Sequence, residues 1–145
     1  MKRRKIFVDS DVTISSLLSS SGAAYFLLNK FNLELYISNI SIKEIKRGVD
    51  KLDLDNEKFQ NLLKKRLRAI KLKEDKIGIE RIKITFKDYV FDEDDTHIVA
   101  GAIKSKAKLI LTYNIKDFKL DKIKRDLNIL VTTPAKFLQY LRSLD

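Results

Sequence analysis

Short, continuous runs of apolar residues recur along the chain and alternate with longer segments whose apolar residues follow helical spacing. Such runs are typical of buried strands, and the clearest occupy residues 6–8, 33–37, 109–111 and 128–131. Strands that are apolar along their whole length belong to parallel sheets covered on both faces. The alternation therefore predicts an α/β fold, a three-layer α/β/α sandwich around a central parallel sheet.

The segments between these strands carry apolar residues at helical spacing, which predicts helices. Residues 15–30 fit one or two helical turns followed by a helix, and residues 40–49 and 96–106 each fit a short helix. A final helix is expected to open at Thr133 as its N-cap, with Pro134 at the first helical position. Helices in these places are the crossover connections that parallel strands require.

Two regions in the middle of the chain are less regular. A longer helix is expected after Asp55 and Asn56, since either residue can cap its start. Its apolar face consists of Phe59, Leu62, Leu63, Leu67 and Ile70. Residues 73–91 leave two interpretations open, because residues 82–86 alternate like a strand whereas residues 77–84 also fit a helix.

The chain has 145 residues, without internal repeats, low-complexity segments or a recognisable linker. This length suits one domain, so residues 1–145 are expected to form a single domain. The 30 basic and 20 acidic side chains give a net charge of +10 with His97 neutral. Such an excess favours a polyanionic partner, either nucleic acid or an anionic membrane surface, although many Lys-rich surfaces are simply solvated.

The residue types that are missing exclude several classes of site. The chain has no Cys, which excludes disulfides, thiolate metal sites and a Cys nucleophile. A single His excludes the usual His-rich zinc sites, and four scattered Gly residues form no phosphate-binding loop. The basic residues 1–5 precede only three apolar residues, too few for a signal peptide, and no segment approaches membrane-spanning length. A cytoplasmic protein is therefore expected.

Acidic and amide side chains collect where the predicted strands end. Asp9 directly follows the first strand, and Asp11 lies two residues further on. Polar side chains also follow the strand at residues 109–111, and acids stand at the starts of two helices; these are Thr112, Asn114, Asp117, Glu44 and the run from Asp92 to Asp95. Ligands of open α/β sheets bind beyond the carboxyl ends of the strands. The crossover connections are expected to bring these side chains to that one edge.

Clustered carboxylates without Cys or additional His form a hard-oxygen site. Oxygen ligands suit Mg²⁺ or Mn²⁺ rather than Zn²⁺. Bare carboxylates would repel one another, and a divalent cation removes that penalty. Such an ion can polarise a phosphoryl oxygen and activate water for attack on phosphorus, which is the chemistry of phosphate-ester hydrolysis.

Each principal acid also has a purely structural explanation. Asp95 can be an N-cap of the helix that follows it. Residues 41–44, Ser-Ile-Lys-Glu, fit a capping box that would explain Glu44. Asp9 can end its strand by opening an Asx turn. The joint arrival of these acids at one edge favours the functional explanation over three separate structural ones.

Five segments of the chain resemble, in order, the motifs of the PIN domain family. Residues 7–12, Phe-Val-Asp-Ser-Asp-Val, are similar to its opening strand and residues 38–44 to its Ser-to-Glu motif. Residues 92–100 resemble its Asp-x-x-Asp motif before an apolar helix. Residues 108–118 and 133–138 are similar to its fourth and closing segments. The resemblance covers nearly the whole chain.

The resemblance implies a Rossmann-like or flavodoxin-like α/β/α sandwich and hydrolysis of RNA with Mg²⁺ or Mn²⁺. By position, Asp9, Glu44 and Asp95 would be the catalytic residues and core metal ligands. Many members of the family are toxins of toxin–antitoxin pairs, often dimeric and silenced by a small antitoxin. RNA, an antitoxin protein and a second copy of the chain are therefore the expected partners, and no membrane is.

Two positions depart from the family pattern. Asp11 stands where the family usually has Asn, and Asn114 stands where a fourth Asp is common. Asp117 is the expected replacement ligand, because some relatives pair Asn with a following Asp-Phe. Asp92 and Thr112, together with Asp11 and Asn114, are expected to support the metal ligands.

Basic side chains on the predicted longer helix are expected to attract the RNA backbone together with the basic amino terminus. They are Lys64, Lys65, Arg66 and Arg68. Two other functions fit the same fold. A non-catalytic module that binds nucleic acid or protein is favoured by Asn114. An acid-pocket phosphatase or a receiver-like protein also places Asp at strand ends, but Lys116 is poorly positioned for the Lys that a receiver needs.

Overall fold

Five parallel strands form the sheet of the computed structural model, which describes residues 3–144. The strands are β1 (Lys5–Val8), β2 (Glu34–Ser38), β3 (Leu67–Ile70), β4 (Leu109–Leu111) and β5 (Leu130–Thr132). Their order across the sheet is β3-β2-β1-β4-β5, and each neighbouring pair is parallel. All carboxyl ends therefore lie along one edge of the sheet, which we call the carboxyl edge.

The crossover connections are helical. The helices are α1 (Ser10–Leu18), α2 (Ala23–Lys30), α3 (Asn39–Lys51), α4 (Asn56–Lys65), α5 (Lys76–Phe86), α6 (Thr96–Lys104), α7 (Leu120–Leu127) and α8 (Pro134–Ser143). Short 3-10 turns cover Lys87–Tyr89, Glu93–Asp95 and Ile115–Asp117. No helix within residues 3–144 combines the length and apolar character that a bilayer crossing demands.

Alternating side chains of β1 enter two hydrophobic cores, one on each face of the sheet. Ile6 and Val8 pack with apolar residues of α1 to α4 and α8. Phe7 points to the other face and packs with Val99 of α6 and Ile123 of α7. A strand that is buried on both faces reads as a continuous apolar run, as the sequence does here. The predicted three-layer α/β/α sandwich with a parallel sheet is confirmed.

The predicted longer helix is wrong in its second half. The helix α4 ends at Lys65, and Leu67 and Ile70 belong to the edge strand β3. Helical spacing continues through both residues, but pairing of Leu67 with Leu35 of β2 overrides it. Arg66 fixes the transition, because its guanidinium donates hydrogen bonds to the backbone carbonyls at the end of α2 and in the following loop.

The ambiguous segment at residues 73–91 contains the helix α5 and no strand. The Asp75 side chain caps it by accepting a hydrogen bond from the Gly78 amide, at 2.8 Å. The helix α7 was not predicted from the sequence; it ends at Asn128, which adopts a left-handed conformation with φ of 54°. This turn shifts β5 to Leu130–Thr132, two residues later than its predicted start. The predicted cap of α8 is confirmed, since Thr133 accepts from the Lys136 amide.

Gly101 on α6 provides a test of the packing between this helix and β1. A Cβ atom at Gly101 would lie 2.4 Å from both Cε1 and Cζ of the fully buried Phe7 ring. We expect Gly101→Ala to lower the free energy of unfolding by about 1–3 kcal/mol or more, the cost of overpacking a rigid core. Chemical denaturation measures this change.

Gly48→Ala is the matched control for Gly101→Ala. Gly48 also lies within a helix, but its Cβ would meet only the Cδ1 end of the flexible Ile14 side chain, at 2.8 Å. We expect unchanged stability or a gain of up to about 1 kcal/mol from the better helix propensity of Ala. Equal losses in the two variants would contradict the role assigned to the Phe7 ring.

Candidate active site

Asp9 lies at the junction of β1 and α1, on the carboxyl edge. It is the N-cap of α1, and its buried side chain accepts a hydrogen bond from the Ser10 amide at 2.7 Å. The other carboxylate oxygen accepts from the Thr112 hydroxyl at 2.8 Å. The backbone of the neighbouring strand holds this arrangement, because the Asp9 amide donates to the Leu111 carbonyl at 3.0 Å. Asp9 thus caps α1 and also lies on the carboxyl edge. Its side chain accepts from the amide one residue on, whereas the predicted Asx turn would use the amide two residues on.

Asp11 joins the first turn of α1 to the loop that follows β4. Its Oδ2 atom accepts hydrogen bonds from the Tyr113 amide at 3.0 Å and from Asn114 Nδ2 at 3.1 Å. The Asn114 amide in turn donates to the Thr112 hydroxyl at 3.0 Å. Within the described residues, the buried Oδ1 atom of Asp11 has no hydrogen-bond partner. The two positions that depart from the family pattern are therefore in direct contact.

Asp95 lies at the first turn of α6 and is half-buried. Asp95 is the N-cap residue of α6, as predicted, but its side chain forms no capping hydrogen bond to the helix, so capping does not account for its carboxylate. Asp92 caps the preceding 3-10 turn, where its side chain accepts from the Asp94 amide at 2.9 Å. A backbone hydrogen bond from Phe91 to Asp117 ties this segment to the loop after β4. The carboxylate of Asp95 is left free for another partner.

Burial and mutual repulsion change the titration of these acids. Burial raises the pKa of Asp9 to about 6, and the negative charge of Asp11 adds to the shift. The hydrogen bonds from Thr112 and from the Ser10 amide oppose it. Burial also raises the pKa of Asp11, with Asp95 contributing. The acids thus lie close enough for each to feel the charge of the next.

Asp95 experiences the largest number of neighbouring charges. Burial raises its pKa to about 6, and repulsion from Asp9, Asp117 and Asp92 adds to the shift. Asp117 is half-buried at the end of its 3-10 turn. The fold therefore brings Asp9, Asp11, Asp95, Asp92 and Asp117 to one place on the carboxyl edge.

Glu44 approaches the group through His97. It lies in the second turn of α3, whose N-cap is Ser38, accepting from the Ser41 amide at 3.1 Å. The capping-box explanation of Glu44 is therefore wrong, because the helix begins earlier than that box requires. Glu44 Oε2 lies 3.6 Å from Nε2 of His97. Among the described residues, the buried Oε1 of Glu44 has no hydrogen-bond partner.

His97 is the residue at this site that the sequence did not indicate. It is buried in the first turn of α6, and its Nδ1 has no hydrogen-bond partner within residues 3–144. Its positive charge, when present, lowers the pKa values of both Asp9 and Asp95. The available signal was its place directly after the acidic turn on a helix that starts at the carboxyl edge. A lone His without a second His in the sequence concealed that signal.

The donor chemistry of the site fits a hard divalent cation. No three His, Asp or Glu side chains in residues 3–144 already stand in a metal-binding arrangement. A buried carboxylate oxygen without a hydrogen-bond partner lowers the stability of the fold. Within residues 3–144, Asp11 Oδ1 and Glu44 Oε1 are such oxygens. A cation would satisfy them and would offset the burial and the repulsion that together raise the pKa values of Asp9 and Asp95. The side chains thus have the right chemistry for such an ion, although those of residues 3–144 do not stand as a closed ligand set.

The predicted nucleic-acid-binding residues are not brought to this edge. Lys64 and Lys65 end α4, and Arg66 precedes β3, so they lie toward the amino ends of the strands. Arg66 is held by backbone carbonyls, as described above. Arg68 points from β3 toward Glu34, with which it forms an ion pair at 3.7 Å. Lys2, part of the basic amino terminus, lies outside the described residues.

Comparisons with known proteins agree with the architecture of the chain. A PIN domain family model matches residues 5–116. A toxin–antitoxin complex from Klebsiella pneumoniae has a TM-score of 0.62 and 22% sequence identity, covering 89% of this chain and 97% of that chain. VapBC2 from Rickettsia felis, bound to a DNA fragment from its promoter, has a TM-score of 0.58 and 21% sequence identity, covering 89% of this chain and 98% of that chain.

DNA-bound VapBC from Salmonella typhimurium gives a TM-score of 0.50 and 17% identity, covering 90% of this chain and 98% of that chain. At identities this low, the structural likeness establishes the fold alone. No curated protein matches the sequence.

Asp95→Asn tests the electrostatic strain at the site. The raised pKa means that folded protein holds the Asp95 proton more tightly than unfolded protein does, so stability falls as pH rises from about 4 to about 6. We expect metal-free Asp95→Asn to have a higher melting temperature than the natural chain above pH 6, and a similar one near pH 4. Thermal unfolding in EDTA measures both.

Asp50→Asn is the control, because Asp50 is an exposed acid on α3. We expect its melting temperature to track that of the natural chain at every pH. An Asp95→Asn variant that is less stable than the natural chain at pH 7 would show that the acids do not repel one another as described.

Proposed function

The chain belongs to the PIN domain family, and on that premise we propose that it is a metal-dependent ribonuclease that hydrolyses RNA phosphodiester bonds. One observation above all supports this activity. Acids from four separate segments meet at the carboxyl edge, where burial and mutual repulsion raise the pKa values of Asp9 and Asp95. One buried carboxylate oxygen of Asp11 and one of Glu44 have no hydrogen-bond partner among residues 3–144. Such a cluster gives the fold no evident stability, whereas it would bind a divalent cation, and a bound cation would attract a phosphodiester.

Asp9, Glu44 and Asp95 would hold the cation, with Asp117 as a further ligand. Mg²⁺ and Mn²⁺ are the ions that such oxygen ligands prefer. A bound ion of this kind would supply polarisation of a phosphoryl oxygen and activation of water, the chemistry that phosphodiester hydrolysis needs.

The neighbouring residues fix the acids in place. The Thr112 hydroxyl orients Asp9, and the Tyr113 amide and Asn114 side chain orient Asp11. Groups of this kind, one step removed from a ligand, commonly set both the orientation and the affinity of a metal site. We assign Thr112 and Asn114 this positioning role. Asp92 supports the site differently, because it caps the turn that carries Asp95.

The contact between Asp11 and Asn114 explains how the chain tolerates both departures from the family pattern. Asn114 replaces an acid, and Asp11 replaces an amide, yet the two side chains share one hydrogen bond at 3.1 Å. We infer that the acid and the amide have exchanged places, so that the number of carboxylates at the site is preserved. The alternative of a non-catalytic binding module depends on Asn114 removing an acid, and the presence of Asp11 beside Asn114 weakens that argument.

We further propose that the chain is the toxin of a toxin–antitoxin pair. Its likeness to the Klebsiella pneumoniae and Rickettsia felis complexes supports this role, which implies an antitoxin protein as a partner. A homodimer and a cytoplasmic location stay predictions from the sequence. The RNA substrate is the part of the proposal that a direct cleavage experiment can test.

Cleavage of a labelled single-stranded RNA tests the activity. We expect cleavage with Mn²⁺ and none with excess EDTA. Because loss of an outer-shell group at a metal site already costs about 10–100-fold, Asp95→Asn is expected to lower the rate about 100-fold or more. Asp50→Asn is the control and should cleave at the natural rate. Cleavage that continues in EDTA would contradict metal dependence and would indicate a contaminating nuclease. RNA binding without any cleavage would instead support the non-catalytic module.

The exchange of acid and amide has its own test. We expect Asp11→Asn to weaken Mn²⁺ binding about tenfold, measured by calorimetry, because it removes one carboxylate. The double variant Asp11→Asn with Asn114→Asp restores the pair in reverse, and its affinity should return to within about threefold of the natural value, since residues in contact are strongly non-additive. A double variant as weak as Asp11→Asn would refute the exchange.

A further inference from the structure

A groove runs beside β5 on the face of the sheet that carries α8. It has a volume of about 790 Å³. Leu109, Leu130 and Thr132 form its floor, and Phe137 and Tyr140 of α8 form one wall. Leu130 is 50% exposed although it lies in a strand, because α8 leans toward α2 and leaves β5 uncovered. The chain therefore presents an open channel along an edge strand.

The rim of this groove is strongly basic. Its charged side chains are Arg3, Arg4, Lys5, Lys106, Lys108 and Lys136, and no acid lines the groove within residues 3–144. In that part of the chain, only Arg3 of these six has a carboxylate within 4.0 Å, that of Glu34 at 3.8 Å. The other five cations have no carboxylate partner among residues 3–144, so the groove keeps a strong positive charge.

The parallel ladder forces two of these cations together. Lys5 and Lys108 stand at the amino ends of adjacent strands, and the Lys108 amide donates to the Lys5 carbonyl at 3.1 Å. Neighbouring strands are only about 5 Å apart, so the two lysines start from adjacent points of the sheet and concentrate positive charge there. A polyanion with closely spaced charges is the ligand that matches such a surface.

Aromatic side chains follow the same groove. The Tyr140 ring is 49% exposed and stacks on Phe137, with ring centroids 6.3 Å apart. The Arg4 guanidinium lies over the Tyr140 ring, 5.5 Å from its centroid. Exposed aromatic rings and arginine planes between lysines are the surfaces on which unpaired bases stack. A run of Asp and Glu side chains would use the lysines but brings no aromatic ring to stack on Tyr140.

The groove also ends close to the acids of the active site. Its last floor residue, Thr132, accepts a hydrogen bond through its carbonyl from the Thr112 amide, at 3.1 Å. The Thr112 hydroxyl is the group that bonds Asp9. A polyanionic strand that lies along β5 would therefore leave the groove beside the carboxyl edge. This exit lies about 10 Å from the amino end of β5, which is the length of three residues in a β-strand.

We propose that the groove between α8 and β5 binds single-stranded RNA, with phosphates on its lysines and an unpaired base on Tyr140. The choice of RNA as the polyanion rests on the proposed ribonuclease function. The groove then holds the strand that the carboxyl edge cuts. It differs from the set at residues 64–68, where Arg66 and Arg68 already have partners within the fold.

Fluorescence anisotropy with a labelled, unstructured RNA tests the groove. The full chain is used in EDTA, so that binding is read without cleavage. We expect Lys108→Glu with Lys136→Glu to weaken binding at least tenfold and to flatten the dependence of log K on log salt by about 1.4, the value for two phosphate contacts to a single strand. Lys51→Glu with Lys76→Glu makes the same change in charge at exposed positions outside the groove. It should change binding less than threefold.

Tyr140 separates stacking from simple charge attraction. We expect Tyr140→Ala to weaken binding about 5- to 150-fold, the range for loss of one base–aromatic stack, and Tyr140→Phe to bind as the natural chain does. Thermal unfolding confirms that each variant is folded. Equal weakening by both charge reversals, or full binding by Tyr140→Ala, would overturn the proposal. Displacement of the RNA by polyglutamate at equal charge would also overturn it and would indicate an acidic protein partner.

These outcomes are independent of the catalytic proposal. If Asp95→Asn abolishes cleavage while the groove variants bind RNA normally, only the groove proposal fails. If the groove binds RNA as expected and the natural chain shows no cleavage with Mn²⁺, only the ribonuclease proposal fails.

Discussion

The parallel pairing of β1 with β4 determines where the acids of this protein lie. Val8 stands opposite Leu111, so the residues that follow them, Asp9 and Thr112, leave the sheet side by side. The hydroxyl of one then orients the carboxylate of the other, and the loop after β4 reaches Asp11 from the same starting point. A slip of this register would separate the acids and place the apolar side chains of β1 on the wrong faces. The hydrophobic cores and the site are therefore set by one pairing.

The architecture and most acids of the site could be predicted from the sequence, because they depend on local patterns. Apolar runs followed directly by acids mark strand ends, and parallel strands bring their ends to one edge. The strand β3 could not be predicted in this way, since its apolar residues continue the helical spacing of α4 and only pairing with β2 separates them. His97 was missed for a related reason: its closeness to Glu44 arises from two helices that are far apart in sequence.

The contact between Asp11 and Asn114 shows the same limit at the level of single residues. Each position, taken alone, is a departure whose effect on the site is ambiguous. The fold places the two side chains in one hydrogen bond, across 103 positions of the chain, and the proposed exchange of acid and amide rests on this contact. Charges of opposite sign are also separated on the molecule. The acids gather at the carboxyl edge, where burial and mutual repulsion raise the pKa of Asp95, while cations line the groove beside β5.

The edge position of β5 has a further consequence for the protein in concentrated solution. A strand paired on one side only, with a half-exposed Leu130, presents free backbone groups and apolar surface to any other copy that approaches. Edges of this kind template aggregation unless charge keeps the copies apart. The short length of β5 and the cations at its amino end provide that protection here, since two molecules meeting edge to edge would bring like charges into contact. Colloidal stability and solubility at low ionic strength are thus built into the same strip of surface.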